Sequence, residues 1–265
     1  MDVHSPYAPP EPFRGRFSDA SPTPKARPAD LDVGAENAVP PDRLEALLAN
    51  LQPHYYDDAV AYADHQLGAL LDALDERGLR ESTVIAITAD HGEALGERGR
   101  YLHGVSLHEE QTHIPLILLL PGDETALRPE QPVSLLDLGP TLLDLVGLPT
   151  PEHFQGSSLL RRPPPGRTLA AVGELGHNYF VREGPFKLVV SDKSCQLHDL
   201  RVDREEVDDV SASRPVQAAY MKQILWERSV SFRDPEHRAL PIDKGISEEE
   251  RRKLNEALRA LGYIE

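Results

Sequence analysis

The chain has 265 residues, of which 40% are hydrophobic and 27% charged, so it has enough apolar material for one or two domains with a core. Its net charge of −16 argues against nucleic acids and anionic membrane surfaces as partners, because every phosphate contact requires a local cation. A single cysteine, Cys195, excludes an internal disulfide framework and a multi-cysteine metal site. The sequence contains no run of about 18 apolar residues, so no transmembrane helix is predicted.

The first 30 residues are rich in proline and show no hydrophobic period, so composition alone predicts a disordered arm. The opening MDVHSPYAPPEPFRG lacks a charged head followed by an apolar core, and we therefore expect no signal peptide in this chain. The first regular element is predicted from Asp42 to about Leu51, where Asp42 and Glu45 fit a helix N-cap with a capping-box acid.

A longer helix is predicted from Tyr55 to Arg77, because apolar residues, among them Leu70, recur on one face at helical spacing. Gly78 follows at the position where a left-handed C-cap is favoured. Two short apolar runs, Thr83–Thr88 and Ile114–Leu120, predict strands that are buried on both faces.

Another helix is predicted from Ser134 to Val146, in which Pro140 indicates a kink or a late start. The order helix, buried strand, long loop, buried strand, helix is typical of an α/β layer with parallel strands. Because such sheets bind ligands at the carboxyl ends of their strands, the loop Ala89–His113 is the first place to expect chemistry.

The remainder of the chain has a different pattern. The proline-rich segment Arg161–Gly166 predicts a linker or turn. Beyond it, Tyr179–Val181 and Phe186–Val190 flank the turn Glu183-Gly184-Pro185 and predict a β-hairpin.

Two further helices are predicted near Val216–Val230 and from about Glu248 to Leu261. We expect residues 166–265 to form a small α+β subdomain, and residues 1–165 to belong to a larger α/β domain.

The sharpest local signal for chemistry is Thr88-Ala89-Asp90-His91-Gly92-Glu93, at the end of the first predicted strand. A carboxylate and an imidazole that emerge together form half of a metal site, in which oxygen suits hard cations and nitrogen shifts the preference toward Mn²⁺ or Zn²⁺. Two ligands are too few, so others must come from elsewhere. The alternative interpretation is a strand-end turn in which Asp90 caps the following segment.

Three histidines, His103, His108 and His113, are spaced five residues apart. The segment from His108 to His113 invites comparison with the zinc motif H-E-x-x-H, but five residues rotate a helix by about 500°, which leaves the imidazoles about 140° apart. We therefore reject a zinc-peptidase helix. His103, which precedes Gly104, is the best candidate for a functional residue, and the alternative for each lone histidine is a polar surface position.

Other catalytic patterns are missing from the sequence. Cys195 lies in a predicted turn with no histidine beside it, so we interpret it as structural or incidental. The Gly-x-Ser-x-Gly elbow, the P-loop and the dinucleotide-binding glycine pattern do not occur.

Several segments of the chain occur in an order that is typical of one enzyme family. They are Asp2–Pro10, Tyr62 with Asp64–Leu74, Thr83–Gly96, His103–Gly104, Pro115–Gly122, Asp137–Leu142, Gln155–Leu159, Phe186–Leu188, Gln196–Leu200, Asp203–Glu206 and Leu258–Tyr263. In this order they resemble the sulfatase family of the alkaline phosphatase superfamily. Gln155–Leu159 is similar to the family's Q-G-x-S-L, and Asp2–Pro10 is similar to its D-P-H-x-P-Y-x-P-P, from which Val3 departs.

The resemblance implies a fold and a set of site residues. The fold would be an incomplete α/β sandwich of the alkaline-phosphatase/sulfatase type with a mostly parallel sheet, plus the small C-terminal subdomain. Asp90 and His91 would be ligands of a divalent cation, usually Ca²⁺, with Mn²⁺ left open by the histidine. His4 would contact the sulfate group, and His103 would act near the leaving oxygen as a general acid or a sulfate contact.

Two family motifs are absent: an N-terminal D-D metal pair and a C-x-P-S-R motif whose cysteine becomes formylglycine. Cys195 lacks the proline and arginine context of that motif. The resemblance therefore predicts the C-terminal part of a sulfatase in which Met1 is an internal methionine. Such a chain would bind metal weakly and would not turn over a sulfate ester alone.

The implied function is metal-dependent hydrolysis of a small-molecule or glycan sulfate ester, and the sequence assigns no compartment. A phosphodiesterase, phosphonate hydrolase or phosphoethanolamine transferase of the same superfamily is an alternative, since these enzymes differ at the nucleophile. A non-catalytic chain, either a pseudoenzyme or half of a split protein with its N-terminal half on another polypeptide, is a second alternative. The K-L…D-L…D-x-x-E pattern favours the sulfatase interpretation.

Overall fold

The computed structural model describes residues 3–4, 7–17, 53–104, 106–122, 131–161, 166–173, 178–191, 194–231 and 252. The chain divides into two compact units, which we call unit 1 (residues 1–105 and 110–126) and unit 2 (residues 106–109 and 127–265). The helix expected at Asp42–Leu51 lies outside the described residues, as does the helix expected at Glu248–Leu261 except for Arg252. A domain boundary after residue 165 remains a prediction.

The long helix of unit 1, α1, runs over Pro53–Glu76 and confirms the helix predicted from the apolar spacing. It ends as expected at Gly78, whose φ of +65° allows the left-handed turn. The Gly78 N–H donates to the Asp75 carbonyl and the Leu79 N–H to the Leu74 carbonyl, both at 2.9 Å, which is the pattern of a Schellman cap. Leu70, which was expected on the apolar face, is 57% exposed.

Residues 7–17, within the proline-rich arm, are ordered against α1. The buried Tyr7 packs with Ala59 of this helix, and its ring lies edge-on to Tyr56 at a centroid distance of 5.5 Å. The fully buried Asp58 carboxylate accepts hydrogen bonds from the Gly15 N–H at 2.7 Å and the Phe17 N–H at 3.0 Å. These contacts correct the disordered arm that composition alone predicts for this stretch.

The two predicted apolar strands of unit 1 form as β1 (Ile85–Thr88) and β4 (Leu116–Leu119). They pair antiparallel, with Ile85 opposite Leu119 and Thr88 opposite Leu116, so the parallel arrangement expected for them is wrong. A parallel pair needs a crossover of a dozen or more residues, usually helical, whereas the described residues of this connection form only short strands and single helical turns. Neither strand is buried on both faces, and Ile117 is 49% exposed.

A small hairpin interrupts this connection. Its strands are β2 (Ala94–Leu95) and β3 (Tyr101–Leu102), which pair antiparallel with Ala94 opposite Leu102. A turn at Glu97–Gly99 closes the hairpin, and the Gly96 N–H donates to the Arg100 carbonyl at 2.9 Å. A single helical turn, α2 (Glu109–Thr112), precedes β4.

In unit 2, a capping box starts the helix predicted from Ser134. The Asp137 carboxylate accepts a 2.8 Å hydrogen bond from the Ser134 N–H, and a turn at Leu135–Asp137 leads into α3 (Leu138–Leu145). Pro140 therefore lies in the first turn, where an N–H has no partner within the helix, and the predicted late start is confirmed.

The Q-G-x-S-L segment packs against this helix start. A Cβ on Gly156 would lie 1.8 Å from the Leu136 carbonyl oxygen, so only glycine fits there. The Ser157 N–H donates to the buried Asp137 carboxylate at 2.9 Å, and the Leu159 N–H donates to the Thr141 hydroxyl at 2.9 Å.

The rest of unit 2 contains a four-stranded antiparallel sheet in the order β5 (Thr168–Val172), β6 (Tyr179–Glu183), β7 (Phe186–Val190) and β8 (Cys195–Asp199). The predicted hairpin is β6–β7, and the predicted helix is α4 (Pro215–Ser231), which packs on the sheet. The core combines residues from both: Val181, Leu188, Leu197, Met221 and Leu225. None of the helices within the described residues is both long and apolar enough to cross a membrane.

Candidate active site

Three of the four candidate side chains from the sequence meet in unit 1. The His103 ring stacks on the His91 ring at a centroid distance of 4.1 Å, and it lies edge-on to the His4 ring at 5.1 Å. Asp90, the fourth candidate, precedes His91 directly after β1. The structure thus brings together residues from the start of the chain, from the end of β1 and from the later part of the loop that follows β1.

Asp90 and His91 are arranged so that both can face one cation. The Asp90 Oδ1 accepts the His91 N–H at 3.1 Å, and the Asp90 Oδ2 lies 3.9 Å from the His91 Nε2. The Asp90 side chain is 83% exposed. The local hydrogen bond agrees with a strand-end turn, while the second oxygen remains beside the imidazole.

The hydrogen bond at the other ring nitrogen of His91 assigns its tautomer. Nδ1 lies 2.7 Å from the Gly92 carbonyl oxygen, which can only accept, so Nδ1 carries a proton, and in the neutral ring Nε2 presents a lone pair. This is the arrangement in which a metal-bound histidine is usually held. Asp90 and His91 therefore fit a divalent cation as two of its ligands, although the described part of the chain contains no cluster of three or more His, Cys, Asp or Glu that could hold a metal ion.

Gln111 holds both ends of the loop between these residues. Its carbonyl accepts the Gly92 N–H at 2.9 Å, and its side-chain Oε1 accepts the Gly104 N–H at 3.0 Å. A Cβ on Gly92 would lie 2.1 Å from the Glu110 carbonyl oxygen, so the close approach requires glycine. Gln111 is buried, which keeps these bonds away from water.

Glu93 is a residue of this site to which the sequence assigned no role. Its Oε1 lies 3.0 Å from the His103 Nδ1, and its Oε2 accepts a 2.8 Å hydrogen bond from the Tyr7 hydroxyl. Burial raises the pKa of Tyr7 above its ordinary value, and the hydrogen bond to Glu93 raises it further, so the phenol remains a donor. The only signal in the sequence was the position of Glu93 within the motif that begins at Thr88.

The remaining candidates lie elsewhere. His108 belongs to unit 2, where its ring lies 5.9 Å from that of His198, and His113 is exposed. Cys195 begins β8 rather than lying in a turn, and burial raises the pKa of its thiol above the ordinary value. A thiol in that state is a poor nucleophile, which agrees with a structural role.

The family model described as Sulfatase matches residues 1–148, which is more than half of the chain and includes all four candidate side chains. The chain belongs to the sulfatase family. This family of sulfuric ester hydrolases was the one expected from the order of its motifs.

Two curated relatives are similar to this chain in sequence over part of their length. It is 30% identical to arylsulfatase K of Bos taurus over 201 residues, which are 68% of this chain and 37% of that protein. It is 35% identical to arylsulfatase K of Homo sapiens over 113 residues, which are 43% of this chain and 21% of that protein. The chain thus spans well under half the length of these relatives.

Solved structures show the same fold. A phosphonate monoester hydrolase of Agrobacterium radiobacter is 24% identical, with a TM-score of 0.64 over 86% of this sulfatase and 55% of that chain. BT4656, solved in complex with its substrate D-glucosamine-2-N,6-O-disulfate, is 23% identical, with a TM-score of 0.57 over 73% of this chain and 44% of that one. Together with the helices and sheets described above, these likenesses confirm the incomplete α/β sulfatase-like class.

Proposed function

We propose that this chain carries the metal-binding and sulfate-contacting part of a sulfatase site that hydrolyses a small-molecule or glycan sulfate ester. The observation that carries the proposal is the meeting of His4, His91 and His103 beside Asp90, in a chain that belongs to the sulfatase family. BT4656 has a sulfated sugar as its substrate, which supports a glycan sulfate as one substrate class to test here.

In this proposal Asp90 and His91 are ligands of a divalent cation, with Ca²⁺ as the first candidate and Mn²⁺ as the second. A bound cation would neutralise charge on the transferring sulfate group. The chain's own contribution is to hold His91 in the tautomer with a lone pair at Nε2, through the bond from Nδ1 to the Gly92 carbonyl. The exposed Asp90 carboxylate supplies the oxygen that hard cations prefer.

His4 and His103 are proposed to contact the sulfate and the leaving oxygen. Residues 1–165 carry 26 acidic and 12 basic residues, a net charge of 12 − 26 = −14, so an anionic substrate needs concentrated local donors to bind there. Two imidazoles whose centroids lie 5.1 Å apart supply such donors. His103, held at Nδ1 by Glu93, can present a proton at Nε2 to a leaving alkoxide when it is protonated.

The metal part of the proposal is tested by titrating the purified chain with Mn²⁺ and Ca²⁺, using electron paramagnetic resonance for Mn²⁺ and calorimetry for both. We expect weak binding, with a Kd of about 10⁻⁴ M or higher, because two protein ligands are far fewer than Ca²⁺ normally takes. Asp90→Asn and His91→Gln are each expected to weaken binding by about tenfold or more.

Asp64→Asn is the matched control, since Asp64 is an exposed carboxylate on α1 of the same unit. It removes the same charge as Asp90→Asn without touching the site, and its Kd is expected to equal that of the wild type. Equal effects of Asp64→Asn and Asp90→Asn would overturn the assignment of Asp90 as a ligand.

We further propose that the chain is the C-terminal part of a longer sulfatase and is inactive alone. The absence of C-x-P-S-R from the sequence and the 37% share of the bovine relative support this proposal. We expect no hydrolysis of an aryl sulfate by the purified chain, and an in-frame D-D and C-x-P-S-R in the DNA upstream of Met1. Turnover of an aryl sulfate would refute the inactivity, and turnover of a phosphonate monoester alone would favour the alternative superfamily activity.

A further inference from the structure

We propose that Glu93 is a positioning residue for His103: its carboxylate fixes the imidazole at Nδ1, and Tyr7 fixes the carboxylate from its other oxygen. The two contacts measure 3.0 Å from Glu93 Oε1 to His103 Nδ1 and 2.8 Å from the Tyr7 hydroxyl to Glu93 Oε2. The Glu93 side chain is only 4% exposed. The functional meaning of this arrangement rests on the proposed role of His103 in sulfate contact.

The pairing of Glu93 with His103 follows from the β2–β3 hairpin. Because Ala94 lies opposite Leu102 in an antiparallel pair, the next position outward places Glu93 opposite His103. The neighbouring Gly92 and Gly104 N–H groups both donate to Gln111, which holds the two sides of the hairpin at this separation. The backbone register therefore brings the two side chains together, independently of any ligand.

The chemical consequence is a defined proton position on His103. A carboxylate only accepts hydrogen bonds, so the Nδ1 atom that faces Glu93 carries a proton whether the ring is neutral or charged. The opposite nitrogen, Nε2, then presents the lone pair of the neutral ring. His91 is held in the same way at Nδ1 by the Gly92 carbonyl, so each of the two stacked rings has a hydrogen-bond acceptor at Nδ1.

Tyr7 keeps the Glu93 carboxylate in place from the opposite side. Tyr7 is buried against α1, and its raised pKa leaves the phenol protonated as a neutral donor. A neutral donor satisfies Glu93 Oε2 without neutralising the carboxylate, so its charge remains available to orient the His103 N–H. The competing explanation is that Glu93 only ties residue 7 to the hairpin and has no influence on the imidazole.

The tautomer of His103 separates these explanations. The chain is labelled with ¹⁵N-histidine, and long-range ¹H–¹⁵N correlation spectra are recorded at one pH about two units above the ordinary histidine pKa of ~6.5. His103→Gln identifies the His103 signals by their loss. In the wild type we expect Nδ1 in the protonated range, and in Glu93→Leu we expect the Nδ1 signal to move toward the unprotonated range as the proton transfers to Nε2.

Two further variants complete the test. Glu93→Gln keeps a side-chain oxygen that can accept from Nδ1, so it is expected to restore the wild-type tautomer. Glu81→Leu removes an exposed carboxylate of the same unit that lies outside the hairpin, and it is expected to leave the His103 signals in place.

A wild-type His103 protonated only at Nε2 would overturn the proposal before any variant is made, even if Glu93→Leu does not fold. A Glu93→Leu chain that keeps the Nδ1 proton would reduce Glu93 to a structural contact. Because no metal or substrate is added, failure of the metal titration described above leaves this result unchanged, and the two proposals fail separately.

Discussion

Gly92 is a residue of the site at which one added methyl group is expected to distort the backbone. An alanine Cβ there would lie 2.1 Å from the Glu110 carbonyl oxygen, a backbone atom that cannot turn aside. We expect Gly92→Ala to lower the free energy of unfolding by about 1–3 kcal/mol, as forced overpacking does elsewhere. It should also displace the neighbouring His91 and weaken Mn²⁺ binding. Urea unfolding followed by circular dichroism measures the first effect.

Gly68 provides a control for this substitution. It lies in the middle of α1, and a Cβ there would meet no atom within 4 Å. Gly68→Ala is therefore expected to stabilise the chain by about 1 kcal/mol, because alanine is the better helix former. A Gly92→Ala chain with the same unfolding midpoint as Gly68→Ala would show that the contact with Glu110 is unimportant.

The candidate residues that lie together could be named from the sequence, whereas the residues that hold them in place could not. His4, Asp90, His91 and His103 stand in motifs that can be recognised along the chain, and the structure brings the three histidine rings together. Glu93 escaped prediction because its partner depends on the register of a hairpin. That hairpin closes through Arg98 at a φ of +53° rather than through an Asn-Gly or Asp-Gly turn, so no turn motif in the sequence indicates the pairing.

Among the elements, β7 carries a charge into the interior of unit 2. The Lys187 Nζ lies 2.7 Å from Glu109 Oε1 and 3.1 Å from Glu206 Oε1, and the lysine side chain is 0% exposed. Removing the lysine charge takes the cation away from the fully buried Glu206 carboxylate, whereas Glu109 keeps the Arg182 guanidinium at 3.4 Å. We therefore expect Lys187→Met to lower the free energy of unfolding by about 3–5 kcal/mol at neutral pH.

The cost of this substitution should depend on pH, with a sign set by Glu206. Burial raises the pKa of Glu206, and Lys187 opposes that rise. Because the folded state then binds the proton more tightly than the unfolded state, the stability penalty is absent below the unfolded pKa of about 4.3 and grows as pH rises through the folded pKa. Without the lysine the folded pKa is higher still, so Lys187→Met should be less destabilising at pH 5 than at pH 8.

Unfolding curves at both pH values test this expectation. Arg204→Met is the matched control, since Arg204 is an exposed cation of the same unit. Its effect is expected to stay within about 0.5 kcal/mol at either pH. A Lys187→Met cost that is the same at pH 5 and pH 8 would contradict the role given to Glu206.

The elements with local signals were predicted correctly, and the pairing between distant strands was not. Helical spacing and a C-cap glycine fixed α1, and two β-rich runs around a turn fixed the β6–β7 hairpin. The apolar runs of β1 and β4 predict strands but carry no information on direction. The strands pair antiparallel, which agrees with the lack of a crossover helix among the described residues between them.

At the scale of the whole molecule, the β1–β4 sheet has few partners for its length. Within the described residues each of these strands has only the other as a neighbour, and a two-stranded sheet is marginal in water. Ile117 of β4 is 49% exposed, and the part of the chain that the structure describes supplies no strand to pair with the outer edge of β4. We expect the purified chain to self-associate as its concentration rises, and Ile117→Lys to shift the equilibrium toward monomer. Sedimentation velocity over a hundredfold concentration range measures both.

Val202→Lys is the control for this substitution. Val202 is 84% exposed in a turn of unit 2, so the variant adds the same charge at a more exposed apolar position away from the sheet. Its association is expected to match that of the wild type. A monomer at every concentration, or equal effects of the two lysine variants, would show that the strand edge is not the point of contact.

The two hydrogen bonds that Gln111 accepts determine which part of this segment can change in length. They connect the two ends of the segment from Gly92 to Gly104, while the turn from Gly96 to Arg100 lies at the opposite end of the hairpin. Residues added or lost at that turn would change the length of the hairpin. The two hydrogen bonds at its base would remain, and so would the spacing of His91 and His103. The turn is therefore the part of this segment in which we expect length to vary most freely.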